Sequence, residues 1–167
     1  VSGLLVNLGT VADELGRRTQ ATSYFQESLH RARQIGHNER ISLLLLNLGV
    51  QLFEAGDYQQ SEQHFREGLS IARQIGHMER TSNLLSNLGW LYIEYKEYAQ
   101  AETNLMGSLT IARNIGSREK ICISLRALGD LALRRNNHAE AEEYLQESLT
   151  IAREMKNLYH VGENLNV

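Results

Sequence analysis

The sequence has no proline and one cysteine among its 167 residues. Without proline, no residue interrupts a helix by removing a backbone donor. The lone thiol, Cys122, excludes an intramolecular disulfide framework and a metal site built from several cysteines. Because proteins without disulfides are typical of reducing compartments, we expect the protein to be cytoplasmic.

Neither sign of charge predominates in the chain. Seventeen Lys and Arg residues face 20 Asp and Glu residues, which gives a net charge of -3. Such a chain lacks the broad positive field that holds nucleic acid or an anionic membrane surface. No apolar run approaches the roughly 18 residues that a membrane-spanning helix needs. The composition therefore predicts neither a nucleic-acid partner nor a membrane partner.

Sequence motifs of catalysis and cofactor binding are also missing. The chain has no glycine-rich phosphate loop, dinucleotide fingerprint, His-Glu-x2-His or Cys-x2-Cys. His37 and His77 stand 40 residues apart in equivalent turns, which favours a capping role over metal ligation. Cys122 lies near a helix start among isoleucines, which favours a buried, inert thiol over a reactive one. We expect no enzymatic activity, no cofactor and no metal.

What the sequence does contain is a repeat of 40 residues. The phrase Asn-Leu-Gly begins at Asn7, Asn47 and Asn87, and Ala127-Leu-Gly follows at the next step. Residues 41–80 and 81–120 are identical at 17 of 40 positions, far more than shared composition would give. The chain, 1–167, is therefore predicted to be one array. Its repeats are 1–40, 41–80, 81–120 and 121–160, followed by a partial helix at 161–167.

Each repeat is predicted to form two antiparallel helices, A and B. In repeat two, apolar residues recur every three or four positions over about 40–55, which predicts helix A. Gly56 is suited to the left-handed turn that ends this helix; Gly16 and Asn136 are equivalent, and Lys96 is a poorer stop. Helix B begins near Tyr58 and ends at Gly76. Short helix pairs bury their apolar faces only by stacking, which predicts an all-α, right-handed α-solenoid.

The repeat resembles the tetratricopeptide family. Repeat three reads Leu85-x2-Leu88-Gly89-x2-Tyr92, and then Ala101 precedes a large residue by four. The departures are a 40-residue length and an arginine, such as Arg73, in place of the terminal proline. Long repeats of this kind are similar to those of kinesin light chains, Pins-type scaffolds and bacterial signal-transduction regulators. The resemblance implies a scaffold module of a larger regulatory protein that binds a protein or peptide segment in a concave groove lined by helix A.

The family geometry also implies which residues line that groove. Three asparagines 40 residues apart could bind the backbone of an extended peptide, or could instead fix the stacking of the helices. Trp90 could anchor a partner or lie in the core. The predicted peptide-binding set is Asn7, Asn47, Asn87, Leu43, Leu46, Val50, Phe53, Glu54, Ser86, Trp90, Glu94, Arg126, Asp130 and Arg134. Because Glu54 and Glu94 share one edge, we expect a ligand with apolar anchors and some positive charge.

A second interpretation is structural. Val1 falls inside a helix A, and residues 161–167 align with the start of another repeat, so we expect uncapped ends. Such ends could stack head to tail and make the array a spacer or a self-associating unit. The arginines at positions 33, 73, 113 and 153 could form a basic stripe. We expect instead that the glutamates that follow six residues later, such as Glu39, compensate them.

Overall fold

The computed structural model describes residues 2–164 of the chain, and side chains over 3–156. Within residues 2–164 the chain forms eight α-helices and no strand. In order, they are α1 Ser2–Glu14, α2 Arg18–Gln34, α3 Asn38–Glu54, α4 Tyr58–Gln74, α5 Met78–Glu94, α6 Tyr98–Asn114, α7 Arg118–Arg134 and α8 His138–Asn164. The odd-numbered helices are the A helices of the repeats and the even-numbered helices are the B helices. The predicted all-α fold and the helix boundaries of repeat two are thus confirmed.

The chain divides into two compact units, Val1–Asn87 and Leu88–Val167, with the boundary inside α5. The core of the first unit includes Phe25, Leu29, Leu44, Leu45 and Leu48, each at most 6% exposed. The core of the second unit includes Leu105, Leu109, Leu125, Leu128 and Leu131, which are buried to a similar degree.

Small residues let the two helices of a repeat pack closely. In repeat two the Ser61 hydroxyl donates to the Gly49 carbonyl at 2.8 Å, which joins α4 to α3. The ring of Phe65 fills the space where a side chain on Gly49 would otherwise lie. In the second unit, a Cβ on Gly89 would lie 2.5 Å from Leu105. The predicted pairing of a small residue with a large one is therefore present in both units.

All seven connections between helices have the same length and the same bond pattern. Each has three residues, and the middle one has a positive φ, as in Gly56 with φ 81°. The third residue donates its backbone N–H to a carbonyl five residues earlier, as Asp57 does to Leu52 at 2.9 Å. This is the helix-ending pattern that favours glycine. Lys96 and Asn136 adopt the conformation without being glycine, with φ 60° and 58°.

Helix α8 differs from the sequence-based prediction. It continues to Asn164 without a turn, so residues 161–164 belong to helix B of repeat four and do not start a separate helix. The physical reason is that Lys156 stands where the other repeats have Gly36, Gly76 and Gly116. Glycine adopts the left-handed turn without strain, so its absence favours continuation of the helix, although Lys96 shows that a lysine can adopt this turn. The remaining residues of the predicted partial helix, 165–167, lie outside the described part of the chain.

Two of the four arginines of the ladder form ion pairs, but with different partners from those predicted. Arg33 on α2 pairs with Glu67 on α4 at 2.7 Å, and Arg113 on α6 pairs with Glu147 on α8 at 2.8 Å. Each pair joins the B helices of two successive repeats. The predicted partner, Glu39, instead acts electrostatically on Arg80, whose pKa is lowered by burial and partly restored by nearby glutamates.

Candidate functional site

One face of helix α3 carries a partly exposed apolar stripe. Leu43, Leu46, Val50 and Phe53 are all half-buried, and Asn47 lies among them. Their spacing of three and four residues places them on one side of the helix. The adjacent side of α3, with Leu44, Leu45 and Leu48, is fully used by the core. Solvent therefore reaches part of four apolar side chains and one side-chain amide on this face of α3.

Two contacts fix the C-terminal end of this stripe. The ring of Phe53 lies 5.3 Å, between centroids, from the ring of Tyr58 at the start of α4. The Glu54 carboxylate pairs with Arg18 at 2.9 Å, and both side chains are largely exposed. Because Arg18 neutralises Glu54, this end of the stripe does not carry the unpaired negative charge that the sequence suggested.

The three repeat-related asparagines have different surroundings. Asn7 on α1 is exposed, whereas Asn47 and Asn87 are half-buried. The Asn87 amide donates to the Asn83 carbonyl of its own helix at 2.9 Å. This bond holds the side chain in place and leaves its carbonyl oxygen as an acceptor. The geometry is compatible with binding of a peptide N–H, but it also gives Asn87 a role within its own helix.

Charged residues of the second unit converge at the end of α7. Arg134 contacts Asp130 at 3.0 Å and Glu94 at 3.4 Å. The hydrogen bond that Arg134 donates to Asp130 raises the pKa of Arg134, and the negative charge of Glu94 adds to the effect. Three predicted site residues are thus brought together, while Arg126 is exposed and Trp90 is half-buried. Because Glu94 is paired here and Glu54 is paired in the first unit, the expectation of a positively charged ligand loses its basis.

Some residues assigned to the groove side by helical spacing are buried. Ser86 of the predicted peptide-binding set is 7% exposed, and Ile93 and Ala127, which have the same helical spacing, are fully buried. They belong to the packed side of their helices and offer a ligand almost no surface. The spacing placed them wrongly because a helix covered on two sides leaves a narrower open face than a surface helix does.

The two repeat-related histidines and the single cysteine form hydrogen bonds with the backbone. His37 and His77 precede helices α3 and α5, and each Nδ1 accepts from the backbone N–H three residues later at 3.3 Å. The predicted capping role is confirmed. Cys122 is half-buried and its thiol donates to the Ser148 carbonyl at 3.5 Å. Over residues 3–156, no three His, Cys, Asp or Glu side chains are grouped to hold a metal ion.

The sequence reasoning missed a cavity of about 530 Å³ in the first unit, between α2, α3 and α4. Leu48, Leu52 and Ala55 provide its apolar wall, and Thr22 and His64 provide polar groups. Beside it, the buried Gln51 amide accepts from Thr22 at 2.7 Å and donates to Asp13 at 3.0 Å. One signal was visible in the sequence, because Gln51 and Ala55 break the repeat: positions 91 and 131 are leucine, and positions 95 and 135 are large.

Known proteins similar to this chain share its repeat. The family model described as tetratricopeptide repeat matches residues 1–74, 39–114 and 80–154. No curated protein sequence matches the chain significantly. No helix in the described residues is both long and apolar enough to cross a membrane.

Solved structures with the same fold are distant in sequence. They include BtubC (BKLC) from P. vanneervenii, with a TM-score of 0.83, 18% identity and 93% of this chain covered. The apo form of RapI has a TM-score of 0.86, 16% identity and 97% coverage. Aspartyl phosphate phosphatase F from Bacillus subtilis has a TM-score of 0.86, 10% identity and 97% coverage. The chain spans 64%, 59% and 43% of those three structures, respectively.

Proposed function

Because the chain belongs to the tetratricopeptide repeat family, we propose that it is a noncatalytic module that binds a protein or peptide segment along its A helices. The observation that carries the proposal is the stripe on α3, where four partly exposed apolar side chains flank Asn47. An extended peptide presents alternating side chains and backbone amide groups, and therefore matches a surface with apolar positions around a carboxamide. We propose a cytoplasmic location, which suits a chain with one free thiol.

The partner is a segment with apolar side chains and little net charge. Neutral character follows from the two ion pairs, Arg18 with Glu54 and Arg134 with Glu94, which remove unpaired carboxylates from the candidate surfaces. In the first unit, Asn7, Asn47 and Asn87 would bind peptide backbone, and Leu43, Leu46, Val50 and Phe53 would contact side chains. In the second unit, Trp90 would supply an aromatic anchor.

A peptide selected from a displayed random library tests the proposal directly. We expect an apolar peptide whose affinity, measured by fluorescence anisotropy, falls when Asn47→Ala and Asn87→Ala are combined. Two neutral hydrogen bonds predict a loss of about 5- to 150-fold. Arg73→Ala is the matched control, because Arg73 lies near the end of a B helix, away from the stripe. Failure to enrich any peptide would refute the function. Enriched peptides that lose affinity only with Arg73→Ala would move the site to the turns.

A second candidate function, self-association, rests on a different observation. Leu4, Leu8 and Val11 of α1 are about half exposed or more, although the equivalent positions of α3 include the buried Leu44 and Leu48. In α3 these positions pack against the preceding helix pair. On α8, Leu149 is 43% exposed, whereas its equivalent Leu29 is buried. The exposed face of α1 is thus of the type that packs against a preceding repeat, and the exposed face of α8 is of the type that packs against a following repeat.

Analytical ultracentrifugation over a range of concentrations separates the two candidates. Head-to-tail stacking predicts an average mass that rises with concentration, and a return to monomer when Leu8→Lys is introduced on α1. Ile75→Lys, in the exposed connection between α4 and α5, is a control for added charge. A constant monomer mass over the range would exclude self-association and leave peptide binding unaffected.

A further inference from the structure

The cavity in the first unit has the dimensions of a ligand site. Its volume of about 530 Å³ lies within the roughly 300–1,000 Å³ that small-molecule sites occupy. It is bounded by two B helices, α2 and α4, and by the C-terminal half of α3. The apolar stripe proposed for peptide binding lies on other residues of α3. The cavity is therefore a separate site, and the argument for it does not depend on the peptide-binding proposal.

The second unit contains the equivalent crevice, and its own side chains close it. Arg135 and Glu102 form an ion pair at 2.8 Å there. Tyr144 adds an aromatic ring whose hydroxyl lies 3.4 Å from Glu140, with burial raising the pKa of the phenol. The crevice residues Glu102, Arg135 and Tyr144 correspond, 80 residues earlier, to Thr22, Ala55 and His64. Three substitutions thus leave space in the first unit that the second unit fills.

These substitutions also indicate the charge of a ligand that the cavity can bind. Thr22 in place of Glu102 removes one negative charge, and Ala55 in place of Arg135 removes one positive charge. Among the described residues that line the cavity, the one full cation is Arg18, which is already paired with Glu54 at 2.9 Å. A ligand that carries a net charge would therefore be desolvated without a free partner, which costs free energy. The surroundings favour a neutral ligand.

The hydrogen-bonding groups favour a hydroxyl on that ligand. Nδ1 of His64 lies 2.9 Å from the Gln60 carbonyl, which can only accept, so Nδ1 carries the proton. In the neutral ring, Nε2 is then an acceptor that a ligand O–H can use. The Thr22 hydroxyl donates its one proton to the backbone carbonyl of Arg18 or to the side-chain carbonyl of Gln51. The lone pairs of the hydroxyl oxygen can still accept a hydrogen bond from a ligand. Leu52 and Ala55 supply apolar contact for a ring, and the nearly buried Leu48 lies behind them.

We propose that this cavity binds a neutral phenolic ring, whose face packs on Leu52 and Ala55 and whose hydroxyl donates to His64. The ring would take the space that Tyr144 and Arg135 fill in the second unit. Either a tyrosine of a partner protein or a free small phenol can supply it. The two sources share the same chemistry and differ in whether a peptide backbone must fit at the mouth.

The test is a titration of the full chain with p-cresol, followed by ¹H–¹⁵N NMR shifts of residues 18–26 and 48–64. We expect saturable shifts confined to these segments, with a dissociation constant below about 10 mM. Toluene lacks the hydroxyl and should bind about 3- to 10-fold more weakly, as the loss of one hydrogen bond predicts. N-acetyltyrosinamide, which carries a peptide backbone, separates the two sources. If it binds about as tightly as p-cresol, the ligand is a tyrosine of a partner protein. If p-cresol binds and N-acetyltyrosinamide does not, the ligand is a small phenol.

A matched variant closes the cavity with side chains the protein already uses. Thr22→Glu combined with Ala55→Arg copies the ion pair of the second unit and should weaken p-cresol binding at least about 10-fold. Should this variant fail to fold, Ala55→Tyr, which copies position 95, gives the same test. The proposal is overturned if p-cresol gives no saturable shift, if toluene binds as well as p-cresol, or if a folded closing variant binds p-cresol unchanged.

Discussion

The ring of Phe65 lies so close to the α-carbon of Gly49 that a methyl group there would overlap it. Gly49→Ala should therefore destabilise the protein by about 1–3 kcal/mol, despite the higher helix propensity of alanine. Denaturant unfolding followed by circular dichroism measures the change. Ser70→Ala on the exposed side of α4 is the control and should be close to neutral. A Gly49→Ala protein more stable than wild type would show that the ring has room to move.

Leu48 is 3% exposed and lies between the helix pairs of the first unit. Leu48→Ala should lower the free energy of unfolding by about 2–5 kcal/mol, as large-to-small core changes do. Leu133→Ala provides a contrast, because Leu133 is 44% exposed and should lose less than about 0.5 kcal/mol. Equal losses at both positions would mean that the buried and open faces of the A helices have been assigned wrongly.

Lys96 occupies a left-handed turn with a φ of 60°, where the other helix ends have glycine or asparagine. A residue with a Cβ is strained there by roughly 1–2 kcal/mol, whereas glycine is not. Lys96→Gly should therefore raise the free energy of unfolding by about 0.5–1 kcal/mol. Asn136→Gly should give a smaller gain, since asparagine tolerates this conformation better. Thermal unfolding of the two variants would contradict the argument if Lys96→Gly lowered the midpoint.

The ion pair between Arg33 and Glu67 joins two B helices, but both side chains are about half exposed. Exposed pairs contribute little because water and salt screen them. A double-mutant cycle with Arg33→Ala and Glu67→Ala should give a coupling energy of about 0.2–1 kcal/mol that decreases with salt. A larger coupling, independent of salt, would indicate that the pair organises the stacking of the repeats.

Burial raises the pKa of Tyr144, and nearby Glu140 adds to the effect. Because the phenol ionises more readily in the unfolded chain, its contribution to stability is complete below the unfolded pKa of about 10 and is lost as pH rises through the folded value. As the solution becomes alkaline, the free energy of unfolding should therefore fall more for wild type than for Tyr144→Phe. Equilibrium unfolding at several pH values measures it. A difference that stays constant with pH would show that Tyr144 ionises equally in both states.

The period of the sequence predicted α1 to α7 well because the turn after each of them has the same hydrogen-bond pattern. Gly56 marked the end of α3, and Asn136 marked the equivalent end of α7 even without glycine. Apolar spacing identified Leu44 and Leu48 as core. These are local signals, because each can be identified within a single repeat of the sequence.

The candidate site was less predictable because its residues depend on distant contacts. Ser86 and Ile93 have the spacing of the open face, yet both are buried. Arg33 finds its partner 34 residues away, across a stacking of B helices that no single repeat reveals. The cavity exists because the side chain of Ala55 is much smaller than that of Arg135 at the equivalent position. The sequence shows this difference, but only the structure shows that it leaves an open space.

The uniform connections have a consequence for how the chain distinguishes its two kinds of helix. From α2 to α7 every helix has 17 residues, and the same three-residue turn follows A and B helices alike. Length and turn geometry therefore contain no information on which helix is A and which is B. That information lies in the side chains, where Gly49 on one helix accepts the ring of Phe65 on the other. Exchanging these two residue types between A and B positions would thus scramble the order of packing, while each helix and each turn would still form.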